Sequence, residues 1–181
     1  MKSVSVGTYD GLKVRAKPSA IIMSVLIFML LLVIAIAIFD ASIAVAVLAA
    51  LGIVLLHWAL EIWHQYGHYR AGKKVGYPMS IVILWMVLGK SIYPKDEPEL
   101  PAGIHIQRAL GGPTYSFYFS LITAIIALAL YMLDTDLFWI PLYACLHNLA
   151  IFTVGAFVPL HWIGIETDGT TLLKWWGRSE A

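Results

Sequence analysis

Four long apolar stretches separated by short polar breaks set the pattern of this chain. Met1 to Ser19 are polar and carry Lys2, Lys13, Arg15 and Lys17, whereas Ala20 to Phe39 contain no charged side chain. A helix of about 20 residues, rising about 1.5 Å per residue, covers a hydrocarbon core of roughly 30 Å, so this stretch predicts a membrane span. It lacks the short apolar core and small-residue cleavage site of a signal peptide, and so predicts a retained anchor. Asp40 marks a turn. Ala41 to Trp63 then predicts a second span, holding His57 and Glu61 and running into a polar end from His64 to Lys74. Met79 to Leu88 is apolar but only about ten residues long, too short to cross as a helix, and predicts a re-entrant or interfacial segment. After the charged, Pro-rich stretch Tyr93 to Pro101, the run beyond Arg108 opens with Gly111, Gly112 and Pro113 and predicts a third span ending at Met132. Leu137 to Leu160, with His147 and Asn148 inside it, predicts a fourth.

Composition sharpens this picture. Of 181 residues, 60% are hydrophobic and 13% charged, against roughly 25% charged in soluble proteins. With a mean hydropathy of +0.81, the expected fold is an all-α membrane protein of about four transmembrane helices with a short re-entrant or interfacial segment. Residues 1–181 are expected to form a single membrane-embedded domain, with 1–19 as a cytoplasmic N-terminal segment. Basic residues lie before the first span, between Arg70 and Arg108, and in the tail, while the opposite turns hold Asp40, Asp134 and Asp136. By the positive-inside rule both termini of this multi-pass chain are expected in the cytoplasm. Membrane lipid is the expected surrounding. The net charge of +1 includes no basic run able to track a phosphate backbone, so no nucleic-acid partner is expected. Cys145 is the only cysteine, which excludes an internal disulfide.

Ionisable side chains are expensive inside a membrane and default to a functional reading. His57, Glu61, His64 and His68 follow helical spacing and fall within about 60° of one another on one face. His64 and His68 are one helical turn apart, which lets both imidazoles reach one zinc ion at about 2.0 to 2.1 Å. His57 lies roughly 10 Å further along the axis and is not expected to share that ion. Taken alone, such a pair also fits polar side chains satisfying one another in a helix bundle.

The surroundings add to the pair. The run His64-Gln65-Tyr66-Gly67-His68, followed by Ala71 and Gly76, resembles the His-Glu-x-Gly-His signature of the site-2 protease family of intramembrane zinc metalloproteases. Gly112-Pro113 with Ser116 resembles the family's Gly-Pro helix start, and Asn148-Leu149, Pro159 and Asp168-Gly169 resemble its Asn-Leu, Pro and Asp-Gly segment. The resemblance covers residues 54–173.

It implies a helical metallopeptidase core in which His64, His68 and Asp168 bind Zn2+, with Glu166 an alternative to Asp168 as third ligand. It also implies a transmembrane protein substrate, with Asn148 suited to hold a substrate backbone through its amide. Gln65 occupies the place of the family's general-base Glu. A carboxamide can hydrogen-bond water but cannot take its proton, and general-base help contributes typically 10² to 10⁴-fold, so cleavage is expected to be impaired or absent. Glu61 and His57 are expected to support the site, Glu61 by orienting a histidine or pairing with His57. Two other readings stand beside this one. The chain could be a non-catalytic pseudoprotease that holds membrane partners, or a membrane haem protein drawing axial ligands from its six histidines.

Overall fold

The computed structural model describes residues 3–178, so Lys2 of the expected cytoplasmic segment lies outside the described residues. Among the described residues, four helical stretches are long and apolar enough to cross a membrane: Pro18–Ala37, Ile43–Lys74, Ala102–Met132 and Asp136–Phe157. The protein is a multi-pass integral membrane protein, mostly helical, as the hydropathy pattern predicts. Its residues fall into two compact units, one formed by residues up to Ile62 with Ser80–Ile92, the other by Trp63–Met79 with the chain from Tyr93 onward.

The first unit contains strands β1 (Val4–Tyr9) and β2 (Leu12–Ala16), helix α1 (Pro18–Ala37), most of helix α2 (Ile43–Lys74), and strands β3 (Ile81–Trp85) and β4 (Leu88–Ile92). The strands form one sheet in the order β1-β2-β3-β4, an element that hydropathy alone does not reveal. Strands β1 and β2 are antiparallel around Asp10-Gly11, whose φ values of 50° and 88° are the left-handed values an Asp-Gly hairpin turn requires. Strand β3 runs parallel to β2 and antiparallel to β4. Met79 to Leu88, expected to re-enter the membrane or lie along it, thus supplies β3 and the turn into β4. In that turn Met86 adopts φ 54°, which is unfavourable for a side-chain-bearing residue and needs outside support. Helix α2 provides it: His57 Nε2 lies 2.8 Å from the Val87 carbonyl, and Glu61 accepts a 2.7 Å hydrogen bond from the Gly89 N–H.

Helix α1 begins with Pro18, where a missing N–H costs nothing, and buries only Ala20 within the protein. Such a helix suits lipid contact on every side. The indole of Trp58 on α2 donates to Ser24 Oγ on α1 at 2.8 Å, tying the two helices together.

In the second unit the last turns of α2 pack on helix α3 (Ala102–Met132). Small residues permit the approach, because a Cβ at Gly67 would stand 2.5 Å from the Gly111 oxygen and 2.8 Å from Tyr115 Cβ. Helix α3 starts earlier than the hydropathy pattern suggests, so Gly111, Gly112 and Pro113 lie within the helix rather than at its head. Its polar opening turns, with His105, Gln107 and Arg108, are helical but invisible to a criterion that follows apolar residues. The fourth span joins helix α4 (Trp139–Asn148) to a π-helical stretch, Leu149–Val154, and a tighter turn, Gly155–Phe157. Helix α5 (Asp168–Trp175) follows, capped by Thr167, whose hydroxyl accepts from the Thr170 N–H.

Candidate metal centre

Three side chains of the second unit converge: His64 and His68 from the last turns of α2, and Asp168 from the first turn of α5. His64 Nε2 and His68 Nε2 are 3.0 Å apart, and each lies 3.3 Å from a different Asp168 oxygen. In a tetrahedral site with bonds of about 2.0 to 2.1 Å, neighbouring ligand atoms are separated by about 3.3 Å, so each of these pairs has close to the spacing of two corners around one zinc. Two neutral Nε2 atoms that close also oppose each other's lone pairs unless a proton or a cation lies between them. The residues fit a metal on both counts. Glu166, two positions away, is exposed and is not among the three grouped residues.

Each imidazole is held by its other nitrogen. His68 Nδ1 lies 2.7 Å from the Arg108 carbonyl and 3.2 Å from the Gly112 amide nitrogen. The shorter contact requires a proton on Nδ1, which leaves the Nε2 lone pair for a metal. His64 Nδ1 meets Ser116 Oγ at 3.1 Å, and Ser116 is wholly buried. Asn148 completes this support, donating to the Ser116 carbonyl at 2.6 Å and to Ser120 Oγ at 2.9 Å. It is itself fully buried, and while its amide nitrogen bonds α3, its side-chain oxygen is buried without a hydrogen-bond partner among the described residues. Burial alone would raise the Asp168 pKa, but with no metal bound and the imidazoles protonated on Nε2, the charge of His68 and hydrogen bonds from His64 and His68 outweigh it and hold the group at about 2. Asp168 is therefore a carboxylate at neutral pH.

Glycines make room for the arrangement. A Cβ at Gly112 would stand against Nε2 of both histidines, in the space a shared ion would take. A Cβ at Gly169 would collide with the Phe157 carbonyl, so only glycine can follow Asp168 in this packing. Gln65 is 5% exposed, one position beyond His64. His57 and Glu61 belong to the first unit, where they bond the backbone of the β3–β4 turn, contacts that residue spacing did not foretell. The Arg108 carbonyl escaped sequence reasoning altogether, since a main-chain group carries no residue signature. Ser116, present in the Gly-Pro block, could have been recognised as a partner for His64.

No protein-family model matches the chain, and no curated protein matches it. Among solved structures, the chain is similar to a site-2 protease from Methanocaldococcus jannaschii, with a TM-score of 0.65 and 18% sequence identity over 96% of this chain and 70% of the other. The two share a fold.

Proposed function

We propose that this chain is a site-2-type membrane metallopeptidase in which His64, His68 and Asp168 hold zinc and Gln65 leaves peptide cleavage impaired or absent. The observation that carries this reading is the convergence of two imidazole Nε2 atoms 3.0 Å apart, each 3.3 Å from one oxygen of the same carboxylate, all borne by residues of the resembling motifs. When bound, zinc supplies Lewis-acid chemistry, polarising a peptide carbonyl and lowering the pKa of water towards about 7. The chain's own residues do the rest. Ser116 and the Arg108 carbonyl orient the two imidazoles, and Asp168 brings negative charge from the far end of the chain. Gln65 can donate to or accept from a water but has no basic lone pair to remove its proton. The substrate would be a transmembrane segment of another protein, locally unwound because helical amides are shielded by their own hydrogen bonds. The basic flanks of the spans favour both termini in the cytoplasm.

Gln65 also favours a second reading, a pseudoprotease that captures membrane partners without cutting them. The haem reading, with axial ligands from facing helices, is the weakest, because it accounts for neither Gly67 and Ala71 nor the Gly-Pro and Asp-Gly blocks. The test compares this chain with Gln65→Glu in detergent, using a fluorogenic peptide built as one apolar span with a central Gly-Pro break. Restoring the base should raise cleavage by about 10² to 10⁴-fold. Equal, robust cleavage by both would refute impairment by Gln65, while zinc binding without cleavage by either would favour the partner-capturing reading.

A further inference from the structure

Arg108 is 5% exposed inside the first turns of α3, a costly place for a permanent charge unless it is paired and hydrogen-bonded. Its partners both come from the Pro-rich segment that precedes α3. Arg108 Nη1 donates to Glu97 Oε2 at 3.1 Å, and the guanidinium carbon lies 3.2 Å from the centre of the Tyr93 ring. An aromatic face and a carboxylate partner are contacts that suit guanidinium better than ammonium. The same residue's main-chain carbonyl lies 2.7 Å from His68 Nδ1. One residue is thus fixed at its side-chain end by the segment and at its main chain touches a candidate metal ligand.

The local helix explains why that anchoring matters. Pro113 has no N–H to offer the carbonyl of Ala109, and Gly111 and Gly112 add backbone freedom, so the turn carrying the Arg108 carbonyl is weakly tied by its own ladder. A guanidinium clamped from outside can hold what the helix ladder does not. We infer that Glu97, Arg108 and Tyr93 form a positioning device for the metal centre, which sets the tautomer and ring orientation of His68 through the Arg108 carbonyl. This rests on the reading of His64, His68 and Asp168 as a metal site.

The test uses the full chain in detergent and compares wild type with Glu97→Gln, Tyr93→Leu and, as a control at an exposed position of the same segment, Asp96→Asn. Zinc affinity is measured by competition with a chromogenic chelator, cobalt substitution reports ligand geometry through its visible spectrum, and histidine nitrogen NMR of the metal-free protein reports the His68 tautomer. Loss of such supporting contacts typically weakens metal binding by about 10 to 100-fold. Glu97→Gln and Tyr93→Leu should fall in that range, with a displaced cobalt band and mixed His68 tautomers, and Asp96→Asn should match wild type. A merely structural role would lower melting temperature and leave the cobalt band and the tautomer in place, which would overturn the inference. If wild type binds zinc tightly and both variants bind it equally well, the positioning role fails alone. If wild type binds neither metal, the metal centre itself fails and takes this inference with it.

Discussion

Replacing Gly112 with Ala should abolish tight metal binding and leave the metal-free protein no more stable than wild type. Gly112 lies within α3 and has ordinary helical backbone, and Gly to Ala in a helix interior is worth roughly 0.5 to 1 kcal/mol in favour of folding, which the roughly 1 to 3 kcal/mol cost of overpacking a buried site outweighs. The methyl would stand 2.6 Å from His64 Nε2 and Cε1, where ordinary contact begins at 3.4 Å. It would press on His68 Nε2 at the same time. Relieving an overlap of about 0.8 Å moves at least one imidazole several times further than the roughly 0.2 Å tolerance of a metal bond. The loss in affinity should therefore match or exceed the upper end of second-sphere effects, about 100-fold or about 2.7 kcal/mol. Zinc titration against a competing chelator measures the affinity, and thermal unfolding followed by circular dichroism with chelator present measures the apo stability. Wild-type zinc affinity in Gly112→Ala would refute the placement of the ion between these two histidines.

Other consequences follow from the same contacts. Removing the Ser116 hydroxyl by Ser116→Ala leaves His64 Nδ1 without that partner, and zinc affinity should fall by about 10 to 100-fold while helix content stays unchanged. Glu61→Ala removes the acceptor for the Gly89 N–H in the first unit, which should cost about 1.5 to 3 kcal/mol locally and be read as faster hydrogen exchange at Gly89, with zinc content as in wild type. Burial raises the Tyr93 pKa and Arg108 only partly offsets it, so the folded state favours the neutral phenol. That contribution to stability is complete below about pH 10 and is lost as pH rises through the raised value, so denaturant midpoints should drop above pH 10 in wild type and less steeply in Tyr93→Phe.

The spans were legible because about 20 uncharged residues in a row admit few folds other than a crossing helix. The sheet was harder to see. Asp10-Gly11 between alternating strands is a strong hairpin signal, yet it sits in a segment whose polarity drew attention to membrane topology. The β3–β4 turn offers no such signal, since Met86-Val87 are not turn residues and depend on His57 and Glu61 reaching from α2. At the candidate centre the His64–His68 pair follows from helical period alone. Asp168 does not, because nothing local says which carboxylate a chain of this length will bring back. The Asp-Gly block of the resemblance puts it ahead of Glu166, and in the fold the Thr167 cap and the tight seat of Gly169 on Phe157 hold Asp168 beside the two histidines. The part played by Gly112 was hidden for a different reason: an absent side chain defines space only when its neighbours are known.

The central claim is that these three residues make one zinc site, and zinc-edge X-ray absorption of the purified, zinc-loaded protein tests it most directly. The account predicts about one zinc per chain with two imidazoles and a carboxylate at about 2.0 to 2.2 Å, and no bound zinc after His68→Ala. A wild-type protein that holds no zinc, or a spectrum unchanged by His68→Ala, would contradict it.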